Sequence, residues 1–269
     1  VSTITTSGPS LPDAPLNPAG PVRKPRRSVL PRVLAIVAAL AIWWLVTSVL
    51  AGQDSLLREF APQHVPGALH ALHDRDVLLP DIAVSLWRLL LGLLIAVTIG
   101  VPLGLLLGLH AGTEYAVAPV VQFLRMISPL SWAPIAVAVF GIGNQPVVFL
   151  VAAAAVWPIV LNTSAGVRAI DPGLVLVARS FGATRREQLT SVILPAVRGP
   201  VQAGLRIALG IAWVVLVPAE MLGVRSGLGY QILNARDQLA YDQVMAVIVV
   251  IGALGFVLDT VAKAVLDRK

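Results

Sequence analysis

Residues able to carry chemistry are few in this chain, and most of them stand alone. His64, His70 and His73 lie near Asp74 and Asp76, and His70 and His73 are one helical turn apart, a spacing that two metal ligands can use. Spacing fixes no third ligand, so a solvated loop accounts for the same residues. Arg125 and Glu220 are more informative, because each sits inside a long apolar stretch. A charge there is costly unless it lines a cavity or finds a partner. Arg125, about ten residues into its stretch, could meet a small anion or anchor its helix by reaching back toward lipid headgroups. Glu220 follows Pro218 and could pair with a backbone group, with the Arg225 region, or face a solute. No nucleophile, base and acid fall in register. No Gly-x-x-x-x-Gly-Lys-Ser/Thr phosphate cradle occurs, and cysteine is absent, which removes thiolate metal sites. The expectation is a chain that is not an enzyme and holds no metal or cofactor of its own.

The elements that must position these residues are membrane spans. With 57% hydrophobic and 13% charged residues and a mean hydropathy of +0.84, the 269 residues lie far from a soluble domain. A spanning helix needs about 20 mostly apolar residues. Six stretches are predicted: Val33 to Ala51, Leu86 to Leu109, Ala116 to Phe140, Pro146 to Gly166, Val201 to Leu222 and Val244 to Leu266. Pro119, Pro129 and Pro134 interrupt the third, which reads as a kinked, buried helix. Residues 1–32, rich in Pro, Ser and Thr and ending in a basic cluster, read as a disordered cytoplasmic tail. Arg26-Arg27 faintly resembles a twin-arginine export signal, but an uncleaved anchor with Trp43 and Trp44 at its end is the stronger reading.

The net charge of +6 is an orientation signal rather than a sign of nucleic-acid binding. If both termini are cytoplasmic, the inner segments hold thirteen basic residues against four acidic ones, and the outer segments four against seven. The outer loop before the second span, about 30 residues long, is too short for a capture domain, which usually needs about 50.

The segment between the fourth and fifth spans is the most legible. Asp171-Pro172 is a helix N-cap with proline at the first helical position. Leu174, Val177, Ala178 and Phe181 form a stripe at i, i+3, i+4 and i+7. Gly182 then ends the helix, and Thr184 with Glu187 forms a capping box for another. Leu189, Val192 and Ile193 make a second stripe, which Pro195 is expected to stop.

This segment resembles the "EAA" loop in membrane subunits of bacterial ABC importers: Glu-Ala-Ala, three residues, Gly, nine residues, Ile, one residue, Leu-Pro. Ala178, Gly182 and Leu194-Pro195 are in register, Val192 holds the Ile position, and Leu176 and Val177 replace the Glu and first Ala. The acidic contact of the motif is thus absent and its hydrophobic docking helix retained. Phe123-Leu124-Arg125, Pro134, Phe140-Gly141-Ile142-Gly143, Ala219-Glu220-Met221-Leu222-Gly223 and Gly227-Leu228-Gly229-Tyr230 resemble permeases of the nitrate, sulfonate and taurine branch. The resemblance covers roughly residues 80–266.

It implies an all-α polytopic membrane protein with about six transmembrane helices, a permease domain over 33–269 and a cytoplasmic coupling-helix loop over about 167–199. It further implies a bacterial inner-membrane permease for a small anionic solute, working as a homodimer. ATP and Mg would be bound by a separate cytoplasmic ATPase, and an extracytoplasmic binding protein would deliver the solute. The residues it assigns to ATPase coupling are Ala178, Phe181, Gly182, Ala183, Thr184, Glu187, Leu194 and Pro195, and to the substrate pathway Arg125, Trp132 and Glu220. The rival readings are a secondary transporter or channel without an ATPase, a scaffold without transport, and a loop that merely lies on lipid headgroups. Two small-residue stripes, Gly100-Gly104-Gly108 and Gly204-Ala208-Ala212, are expected to pack helices within one subunit.

Overall fold

The computed structural model describes residues 30–50, 52 and 55–266. Most of the expected tail, residues 1–29, lies outside the described residues, as do Ala51 and residues 267–269. The chain divides into two units, Val1–Ile42 and Trp43–Lys269. In the first begins α1 (Leu30–Trp44), which runs on as a π-helical turn, Leu45–Val49. Its apolar stretch, Val33–Val49, is shorter than the expected first span.

The second unit is helical throughout its described elements. In order these are α2 (Val65–Asp74), α3 (Leu78–Leu109), α4 (Ala111–Met126), α5 (Ala133–Phe140), α6 (Asn144–Arg168), α7 (Pro172–Ser180), α8 (Arg185–Gln188), α9 (Leu194–Gly223), α10 (Leu228–Asp237) and α11 (Tyr241–Leu266). Four helical runs are long and apolar enough to cross a bilayer: α3, α6, Arg185–Gly223 and α11. Among the described residues these four match the expected second, fourth, fifth and sixth spans, the expected third is a bent pair of helices, and the expected first corresponds to the shorter apolar helix Val33–Val49. In the bent pair Ala116–Met126 and Pro129–Phe140 meet at 82°. Ser128 is extended (ψ 129°), and Pro129, with no N–H to donate backward, starts a new 3₁₀ turn instead of continuing α4.

The core is α3, α6 and α9. Gly92, Gly100, Gly104 and Gly108 of α3 all face α6, so closely that a Cβ on Gly92 would lie 2.5 Å from Val151 Cγ1 and one on Gly104 2.6 Å from Thr163 Cβ. On the other side of α6, Gly204 meets Asn162 and Pro158, and Ala208 and Ala212 are fully buried. Both small-residue stripes therefore pack α3 and α9 onto α6 within one chain. Close backbone approach of this kind replaces the hydrophobic drive that lipid cannot supply. The segment before α3 is partly packed onto the helices: Val65, Ala68 and Leu72 of α2 are buried with Leu228, Ala246 and Val247, leaving His70 and His73 exposed.

Candidate functional site

The segment joining α6 to α9 is built from local sequence. Asp171 caps α7, its Oδ1 accepting the Gly173 N–H at 2.8 Å, with Pro172 at the first turn. Gly182 has φ +82°, a left-handed conformation that turns the chain sharply after Phe181. The Ala183 N–H then donates to the Ala178 carbonyl at 3.0 Å. The reciprocal capping box of α8 forms as expected: the Glu187 N–H donates to Thr184 Oγ1, and Glu187 Oε2 accepts from the Thr184 N–H at 2.7 Å and hydroxyl at 2.8 Å. The Thr184 N–H, and secondly its hydroxyl, hold the Glu187 carboxyl below its ordinary range. Gln188 ties the turn to α8, donating to the Ala183 carbonyl at 2.8 Å.

The two apolar stripes then part company. Leu189 and Ile193 pack with Val167 and Val197 on α6 and α9, fixing the segment to the helix bundle. Leu174, Val177 and Phe181 on the α7 side remain uncovered, Phe181 with 87% of its surface exposed. Ala178 is half-buried between them. Pro195 does not stop the helix. A π-helical turn at Leu189–Ile193, closed by the Leu194 N–H on the Leu189 carbonyl, takes up the register change at the proline, and the helical run continues from Arg185 to Gly223. At 39 residues that run exceeds what a bilayer needs, so its charged first turn, Arg185-Arg186-Glu187, stands outside the apolar stretch.

The break between α4 and α5 opens two clefts against α6. One, of about 370 Å³, is lined by Arg125, Ile127, Pro129, Trp157, Asn162 and Ile211 among others; the second, of about 220 Å³, shares Ile127, Pro129 and Trp157 and adds Trp132 and Phe149. The structure thus brings Arg125 and Trp132 to one broken span. Arg125 is in the last turn of α4 and exposed. Its cleft touches α6 between Ala154 and Asn162, about 15–27 Å along a helix of about 37 Å at 1.5 Å per residue. Among the described residues Arg125 makes no ion pair.

Glu220 is elsewhere, away from the clefts that Arg125 and Trp132 line. It is fully buried, with Arg88 Nη1 donating to its Oε1 at 2.7 Å, Ser85 Oγ bonding both its oxygens at 2.8 and 2.9 Å, and the Gly229 N–H donating to its Oε2 at 3.0 Å. Its charge partner is Arg88, not the Arg225 region. Arg88, 1% exposed, also donates to Asn144 Oδ1 at 2.9 Å and to the Ser226 carbonyl and hydroxyl, both at 2.8 Å. Asp81 Oδ1 accepts the Gly227 N–H at 2.6 Å. This knot ties the α9–α10 turn to α3 and α6. Gly227 (φ +102°) and Gly229 leave no room for a Cβ beside Glu220 and the Val217 carbonyl. Asp81, Ser85, Arg88 and Asn144 were not among the expected site residues. The available signal was three polar residues at i, i+4 and i+7 on one face of an otherwise apolar helix.

Comparison with known proteins agrees with this geometry. The family model described as binding-protein-dependent transport system inner membrane component matches residues 100–269, more than half of the chain. The putative aliphatic sulfonates transport permease protein SsuC of Escherichia coli (strain K12) is 38% identical over 91% of this chain and 92% of its own length. The nitrate import permease protein NrtB of Synechococcus elongatus is 32% identical over 88% of this chain and 89% of its own. Among solved structures, a chain of the MetNI methionine ABC transporter in inward-facing conformations shares the fold, with TM-score 0.61 and 20% identity over 71% of this chain and 94% of that one. A helical, multi-pass membrane chain with this sequence kinship belongs to the family of inner-membrane components of binding-protein-dependent transport systems and is a permease subunit of an ABC importer.

Proposed function

We propose that the chain forms, with a second copy of itself, the translocation pathway for a small anionic solute, with ATP and Mg bound and ATP hydrolysed on a separate cytoplasmic subunit. An extracytoplasmic binding protein delivers the solute, and both termini face the cytoplasm, as the distribution of Lys and Arg favours. The sulfonate and nitrate named for the relatives are both small oxyanions, which supports the solute class. The observation that carries the reading is the uncovered stripe of α7. Leu174, Val177 and Phe181 are held in place by satisfied caps at Asp171, Gly182 and Thr184, yet they stay exposed, with nothing among the described residues packed over them. A short helix with an exposed apolar face suits a groove on a partner ATPase, and Ala183, Leu194 and Pro195 belong to the same coupling segment. Arg125 and Trp132 line the pathway at the broken span.

The test is ATP-driven uptake of methanesulfonate and of nitrate by proteoliposomes holding the assembled importer. Gly182→Pro, which the φ of +82° forbids, and Ala178→Arg, which puts a charge in the stripe, should abolish uptake while membrane insertion stays normal. Retained uptake in both variants would contradict the coupling role. Uptake by the chain without its ATPase would point instead to a secondary transporter or channel.

A further inference from the structure

Three features of Arg125 go together. It stands where the chain turns 82° between two helices, it lines a cleft against the middle of α6, and it makes no ion pair among the described residues. Among the described residues no carboxylate lines the cleft; Asn162 does, its Nδ2 donating to the Pro158 carbonyl at 2.8 Å. Its walls are otherwise apolar, with Trp157, Pro158 and Ile211 prominent. A guanidinium at this depth is tolerated only where water or a counter-charge reaches it. Arg125 is exposed, so water reaches it, and the apolar walls beside it lower the local dielectric and strengthen its field.

We propose that the Arg125 cleft is a water-filled, anion-selecting site inside the membrane, holding a small oxyanion against the guanidinium with Trp157 as its apolar wall. This rests on the transport reading above and adds a discriminating residue to it. Anions concentrate at Arg125 and cations are repelled, so charge selection operates in the permease itself as well as at whatever protein delivers the solute.

The absence of cysteine from the chain makes the test direct. Ile207 lines the same cleft from α9 and is half exposed. In the full-length chain in liposomes, and relative to each reagent's rate with a free thiol in solution, Ile207→Cys should react about thirtyfold faster with an anionic methanethiosulfonate than with a cationic one of similar size, attraction and repulsion of unit charges about 4 Å apart in water each contributing about fivefold. Adding Arg125→Gln should remove that preference, and Arg125→Lys should keep it. No reaction with either reagent, equal rates beside native Arg125, or a preference that survives Arg125→Gln or is lost in Arg125→Lys would each overturn the site. ATP-driven uptake of methanesulfonate and nitrate by the assembled importer with Ile207→Cys alone reads the transport proposal separately. Uptake without charge preference would leave that proposal standing and remove this one.

Discussion

The two ends of the helical run Arg185–Gly223 solve the same problem in opposite ways. Each must hold polar groups beside a turn. At the first end the bonds are local and exposed: Thr184 with Glu187, Gly182 with Arg179, Asp171 with Gly173. At the other they are buried and distant in sequence, joining Arg88 to Glu220, Asn144 and Ser226. Exposed local bonds shape a segment without committing its apolar face to the rest of the chain, and α7 keeps that face open. Buried bonds across α3, α6, α9 and α10 commit four elements to one arrangement. The contrast separates an end whose apolar face stays exposed, where the proposed coupling to an ATPase would occur, from an end held as a buried clamp.

The contrast can be broken most severely at the clamp. Arg88→Ala strands the Glu220 carboxylate, and removing one partner of a buried pair costs about 3–5 kcal/mol. The measurement is thermal unfolding in detergent, and the double change Arg88→Met with Glu220→Leu should be less damaging than Arg88→Ala alone. Next comes Gly227→Ala, which meets Glu220 and a left-handed backbone together and should cost about 1–3 kcal/mol by the same measurement. At the loop end, Thr184→Ala removes a cap worth about 1 kcal/mol. It should loosen α8 locally, seen as faster hydrogen exchange at its amides, and leave global unfolding nearly unchanged. Smallest is the effect of acid on that box. Because the folded-state pKa of Glu187 is lowered, its contribution is fully present above the unfolded value and is lost as pH falls through the folded one. Protection of α8, corrected for intrinsic exchange, should hold at neutral pH, fall below the usual carboxylate range of about 4, and lose that pH dependence in Glu187→Gln.

What could be read from sequence divides along the same line. Asp171-Pro172, Gly182 and the Thr184–Glu187 box were legible because their partners lie within a few residues. The glycine stripe of α3 was legible because its period matches one helix face. The clamp was not, since Arg88 and Glu220 are 132 residues apart and no local pattern pairs them. Pro195 misled because a π-helical turn can carry a helix past a proline. The kink of the third span was legible because three prolines signal a break, but they do not give its angle.

The central claim, that the open face of α7 is where a cytoplasmic ATPase seats, is tested most directly by cross-linking. Phe181→Cys supplies the sole thiol of the permease, and a short bifunctional thiol reagent can join it to the ATPase co-purified in the assembled importer. The account predicts a permease–ATPase product from Phe181→Cys and none from His73→Cys on α2. A product from His73→Cys with none from Phe181→Cys would contradict it.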